Sequence, residues 1–66
     1  MEKPLISIVI PVYNTAKFID KCILSARAQK YPNLEIVVVN NGSTDNSWDI
    51  IEKHAHEDSR IKAYTI

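Results

Sequence analysis

Leu34-Glu35-Ile36-Val37-Val38-Val39, followed at once by Asn40-Asn41-Gly42-Ser43-Thr44-Asp45-Asn46-Ser47, is the stretch whose reading decides the fold. A short run with three consecutive valines argues for a strand buried on both faces, as in a parallel sheet. The polar run after it holds the only glycine of the chain. Its Ser43, Thr44 and Asp45 are residue types that cap helix starts. A helix is therefore predicted over residues 45–57, with Trp48, Ile51 and Ala55 on one face and Ile50 beside them.

Working towards the amino terminus, Tyr31-Pro32-Asn33 is a turn. Before it, Phe18, Ile19, Cys22, Ile23 and Ala26 recur at steps of three and four, which predicts a helix over residues 16–29. Cys22 on that stripe reads as a small buried hydrophobe. Pro11-Val12-Tyr13-Asn14-Thr15 is a loop, with Asn14 or Thr15 as cap. Leu5-Ile6-Ser7-Ile8-Val9-Ile10, between Pro4 and Pro11, is a strand with apolar residues on both faces. Towards the carboxyl terminus, residues 60–66 alternate as a short third strand. The order is β-α-β-α-β, a parallel sheet with right-handed crossovers. That topology brings the loops at residues 11–15 and 40–47 to one rim, beyond the carboxyl ends of neighbouring strands. Open α/β sheets bind ligands at that rim.

Composition narrows the function classes. Lys plus Arg number 8 and Asp plus Glu number 8, so the net charge is zero. A nucleic-acid binder held by phosphate contacts carries a basic excess, which this chain lacks. Apolar residues make up 45%, ordinary for a folded chain. No apolar run approaches the ~20 residues of a membrane span. The opening Met1-Glu2-Lys3-Pro4 lacks the pattern of a secretory signal, and a cytoplasmic chain is expected. A single cysteine allows neither an internal disulfide nor a cysteine-based zinc site. At 66 residues with no staple, the chain reads as part of something larger, or as an oligomer. Its free sheet edges predict self-association.

The residues that carry chemistry are few. The 40–47 loop offers amides, hydroxyls and one carboxylate ahead of a helix N-terminus, a setting suited to a polar or phosphorylated ligand. The same residues also serve as an ordinary turn and cap. Tyr13 at a strand end can stack on a base or simply pack over the sheet edge. With one glycine, neither the dinucleotide fingerprint nor the P-loop can be present. His54 and His56, two apart on a helix, face different ways and read as solvated helix-end histidines rather than metal ligands. Asp45 and Asp49 are four apart and could share a face as an acid/base pair, although carboxylates in a first helical turn are expected anyway. Trp48 reads as core.

Taken together, the run from Ile6 through Pro11-Val12-Tyr13-Asn14 and the run from Glu35 through Asn40-Asn41-Gly42-Ser43-Thr44-Asp45-Asn46-Ser47 resemble the amino-terminal segment of family 2 glycosyltransferases. Phe18-Ile19, Cys22-Ile23, Ser25, Gln29 and Tyr31-Pro32-Asn33 between them also look like that family, so the resemblance covers nearly the whole chain. It implies half of a Rossmann-like parallel sheet, part of a glycosyltransferase A-type fold, with residues 1–66 as the nucleotide-binding part of an incomplete domain. It implies a nucleotide-sugar donor, commonly a UDP-sugar, and a parent that transfers the sugar to an acceptor hydroxyl in polysaccharide or glycan synthesis. Pro11, Val12 and Tyr13 would line the nucleoside pocket, Asn41 would face the base, and Asn40 would lie beside it.

Two departures stand out. The family commonly has two aspartates where this chain has Asn40 and Asn41. An amide accepts as a carboxylate does, but without charge, and it adds an NH2 group needing a partner. The D-x-D motif that holds Mn²⁺ or Mg²⁺ in the family, and the carboxylate base, are not in this sequence. They are expected downstream in the parent, which would work at the inner face of the membrane, and the 66-residue chain alone is not expected to catalyse transfer. The competing readings are a non-catalytic α/β assembly module and a phosphate-binding half-domain of another enzyme.

Overall fold

The computed structural model describes residues 3–66. Three strands and two helices alternate along the chain: β1 (Ile6–Val12), α1 (Ala16–Arg27), β2 (Leu34–Asn40), α2 (Ser47–Glu57) and β3 (Ile61–Thr65). The strands form one parallel sheet in the order β1-β2-β3. The β-α-β-α-β order and the Rossmann-like half-sheet stand as the sequence implies.

The expectation of strands covered on both faces does not hold among the described residues. Successive right-handed crossovers along a sheet that grows in one direction place both helices on the same side. In β2 the alternation is regular: Leu34, Ile36, Val38 and Asn40 are buried under the helices, while Glu35, Val37 and Val39 on the other face are half-buried. Val9 of β1 lies on that second face and is 63% exposed. The core is Ile10, Val12, Ile19, Ile23, Ala26, Leu34, Ile36, Val38, Ile51 and Ile61.

β1 also runs farther than its sequence suggests, through Pro11 to Val12. The amide of Ile6 donates to Asn33 and the carbonyl of Val12 accepts from Asn41, so the even-numbered residues of β1 face β2. Pro11 turns its missing N–H to the free edge, where no ladder bond is lost.

The helix faces differ from the periodic stripes at four positions. Buried residues of α1 are Ile19, Ile23 and Ala26, while Phe18 is 70% exposed and Cys22 is exposed. Phe18 and Cys22 sit one turn apart on a flank of the helix and border a shallow groove with Ile10 and Pro11. In α2 the buried positions are Ser47, Ile51 and His54, and Trp48 is partly buried against the core. His54 is therefore not a solvated helix-end histidine. It is 3% exposed and bridges the helices, with Asp20 Oδ1 2.7 Å from Nε2 and Arg27 Nη1 2.8 Å from Nδ1. A guanidinium only donates, so Nδ1 accepts, and the proton sits on Nε2 facing Asp20. His56 is exposed, as expected.

The far end of the molecule is tied by Arg60. Its Nη2 donates to the carbonyl of Arg27 at 2.8 Å and its Nη1 to that of Gln29 at 3.2 Å. The first is an orphan acceptor in the last turn of α1, and the second lies just beyond the helix. Asp58 holds Arg60 in place, accepting from Nη2 at 2.8 Å and from Nε at 3.1 Å. These bonds, with Arg27 nearby, pull the Asp58 carboxyl down to about 2 from an ordinary 3.8. A carboxyl lowered by folding stabilises fully above its unfolded value and loses that contribution as pH falls through its folded one. We expect Asp58→Asn to lower stability by about 1 kcal/mol near neutral pH. Urea midpoints of the two proteins should keep their gap above the ordinary 3.8 and converge towards pH 2.

Candidate functional site

β1 and β2 end side by side, with Val12 in register with Asn40. The next residues, Tyr13 and Asn41, therefore lie at one rim, and the Asn41 amide donates to the Val12 carbonyl at 2.8 Å. Thr65 of β3 stands at the same level on the other side of Asn40. Parallel register alone produces this convergence.

The five residues singled out for a nucleoside fall into two levels. Tyr13 is 62% exposed and Asn41 is exposed, both on the rim itself. Val12 and Asn40 lie beneath, 1% and 3% exposed, on the helix-covered side of the sheet. Pro11 is exposed on the opposite side from Val12. Asn40 donates through Nδ2 to Thr65 Oγ1 at 3.1 Å. Its Oδ1 is buried with no partner, the one such side-chain atom among the described residues. Unpartnered buried acceptors are uncommon.

The loops that carry Tyr13 and Asn41 are joined by a set of bonds that the sequence reading missed. Asn14 accepts at Oδ1 from the Thr44 amide at 2.7 Å, and its own amide donates to Ser43 Oγ at 3.0 Å. Thr15 donates to Ser47 Oγ at 3.2 Å, and Ala16 to Asp45 Oδ2 at 3.2 Å. Asp45 Oδ1 takes the Ser47 amide at 3.0 Å and the Ser47 hydroxyl at 2.6 Å. Neither Thr15 nor Asn46, the cap residues by position, makes a side-chain cap bond. Asp45 and Ser47 serve both helices instead, so the first N–H groups of α1 are satisfied from a loop about thirty residues downstream. The Ser47 hydroxyl, helped by the Ser47 and Ala16 amides, holds the Asp45 carboxyl below its ordinary value against the opposing effect of burial. Both Asp45 oxygens are engaged in this way, and Asp45 lies ahead of α2 rather than on one helical face with the exposed Asp49.

Two left-handed residues let the loops meet. Gly42 has φ +69, and a Cβ added there would meet nothing within 4 Å, so its backbone angle rather than crowding calls for glycine. Asn14 has φ 48, which asparagine tolerates better than most residues.

Among the described residues no three His, Cys, Asp or Glu side chains gather to hold a metal ion. The described residues thus offer no donor set that fits a divalent cation. No helix among them is long and apolar enough to cross a membrane.

The sequence profile of Glycosyl transferase family 2 matches residues 7–65. The chain belongs to that family. It is 47% identical over 62 residues to EpsH of Bacillus subtilis, which carries a glycosyltransferase name; the match covers 94% of the chain and 18% of EpsH. To the glycosyltransferase GlyG of Streptococcus pneumoniae it is 43% identical over 58 residues, 88% of the chain and 19% of GlyG. To the chondroitin synthase of Pasteurella multocida it is 42% identical over 59 residues, 89% of the chain and 6% of that protein. The chain spans less than a fifth of the length of each of these relatives. In this family setting the half-sheet is part of a Rossmann-like glycosyltransferase A-type fold.

Ser47 is fully buried and serves two loops, so its removal should be felt at both. We expect Ser47→Ala to lower stability by about 1 kcal/mol. Amide exchange should quicken at Thr15, whose acceptor is lost.

Proposed function

We propose that this chain is the donor-binding part of a glycosyltransferase and that the rim between Tyr13 and Asn41 takes the nucleoside of a nucleotide-sugar, a UDP-sugar in the first instance. The observation that carries the proposal is the convergence of an exposed aromatic ring and an exposed amide at the ends of adjacent parallel strands. Tyr13 offers a face for stacking, and the Asn41 amide can accept from and donate to a base edge. Val12 is buried and its carbonyl already accepts from the Asn41 amide, so it supports the floor of the rim from beneath. The parent reaction is sugar transfer to an acceptor hydroxyl. Two of the relatives are a chondroitin synthase and a hyaluronan synthase, which supports polysaccharide as the product class. The metal, Mn²⁺ or Mg²⁺, and the base would come from the parent's further residues, so the 66-residue chain binds without turning over.

Titration calorimetry with UDP tests this on the full-length protein. Tyr13→Ala should weaken binding about tenfold, in line with loss of one stacking partner. Asn41→Asp should strengthen it, because a charge-assisted bond is roughly twice as strong as a neutral one. Unchanged affinity in both variants would remove the nucleoside from this rim. Inorganic phosphate competing as well as UDP would instead favour a phosphate-binding half-domain.

The free outer edges of β1 and β3 support self-association of the isolated chain. Sedimentation velocity should show assemblies that grow with concentration, and a monomer at every concentration would count against it.

A further inference from the structure

We propose that Asn14 is a positioning residue for the nucleotide site: it closes a small ring of backbone that fixes Tyr13 against the Asn41-Gly42 turn. The inference rests on the donor-binding reading and adds a residue to which that reading gives no role.

The ring is closed at two places. On one side the Asn41 amide donates to the Val12 carbonyl at 2.8 Å. On the other stands Asn14, whose amide donates to Ser43 Oγ at 3.0 Å and whose Oδ1 accepts from the Thr44 amide at 2.7 Å. Between these two closures lie Tyr13 in the first loop and Gly42 in the second. Tyr13 is thus clamped through both its chain neighbours while its ring stays 62% exposed. Both turns need a left-handed residue, Asn14 at φ 48 and Gly42 at φ +69. Asn14 meets that backbone demand and supplies the acceptor from the same residue, a combination few residue types offer.

The closure matters for binding because loop ordering opposes association. A loop already held in its bound geometry loses less freedom when the ligand arrives. Without the Asn14 acceptor the Thr44 amide has only water, and the bond from the Asn14 amide to Ser43 Oγ is left to hold that side of Tyr13 by itself.

The test separates the backbone demand from the hydrogen bond. Asn14→Gly keeps access to the left-handed region and removes the acceptor. Asn14→Asp keeps both. In the full-length protein, exchange measured by mass spectrometry over residues 42–47 should quicken in Asn14→Gly and stay near wild type in Asn14→Asp, with peptides from β2 and α1 unchanged in either. UDP affinity should fall about tenfold in Asn14→Gly and be restored in Asn14→Asp. A general loss of stability would quicken exchange throughout and would not be rescued selectively at the rim, and that pattern would count against the proposal. Unchanged exchange over residues 42–47 in Asn14→Gly overturns the ring closure. Quickened exchange with unchanged UDP affinity, while Tyr13→Ala still weakens binding, overturns the positioning role. If wild type binds no UDP, the donor-binding reading fails, and with it Asn14's role in that site; the exchange arm, which needs no ligand, then still reports whether Asn14 closes the ring.

Discussion

The ends of helix α1 are satisfied by residues that lie far from it in sequence. Asp45 and Ser47 take the N–H groups of Ala16 and of its cap Thr15, and Arg60 takes the carbonyl of Arg27 in its last turn. Helix termini left without partners are unfavourable when sheltered from water. α1 therefore gains these end partners only when the second β-α unit has folded against the first. The His54 bridge to Asp20 and Arg27 ties the middle of the two helices in the same way. A chain of this size buries only a modest core, so such non-local bonds do much to select one arrangement of the two units.

That dependence explains what was and was not legible in the sequence. Strand and helix order could be read because burial imposes a period on each element and the turn residues Pro32, Asn33 and Gly42 interrupt it. The fate of the stripe residues could not, because a stripe says nothing about which flank meets a neighbour. Phe18 and Cys22 fall on the side of α1 towards the free edge of β1, where the described residues place nothing over them. His54 shows the converse. It follows Ile51 at helical spacing, which was a usable signal, but a polar side chain on a buried stripe is tolerable only if its partners exist. Those partners, Asp20 and Arg27, belong to another helix and are invisible to a local pattern. Pro11 inside β1 was hidden for a similar reason: whether a proline breaks a strand depends on which way its nitrogen faces, and that is set by the neighbouring strand.

The candidate site divides along the same line. Its location followed from topology, since parallel strands joined by helices must bring alternate loops to one end. Its composition did not, because most polar residues of the 40–47 loop are engaged with the protein itself. Ser43, Thr44, Asp45 and Ser47 all bond to the first loop or to one another. A loop rich in hydroxyls and carboxylates reads as a ligand cradle, yet here it is chiefly the structure that holds the cradle's shape. What remains free at the rim is a short list led by Tyr13 and Asn41, with the exposed Asn46 farther along the loop.

The two asparagines, Asn40 and Asn41, are not equivalent in physical terms. Asn40 is 3% exposed, with one donor bond to Thr65 and an unpartnered Oδ1. A carboxylate placed there would bring a charge under the sheet's edge with little to receive it, which costs far more than a neutral amide with one open acceptor. Asn41 is exposed, so a carboxylate at 41 would stay hydrated and would lose little by being charged. The amide at 40 thus suits the burial of its site, whereas the amide at 41 is neutral where nothing in the surroundings requires it. It follows that a carboxylate would cost fold stability at position 40 and little at position 41, so on the donor-binding reading only the second amide is a matter of ligand recognition.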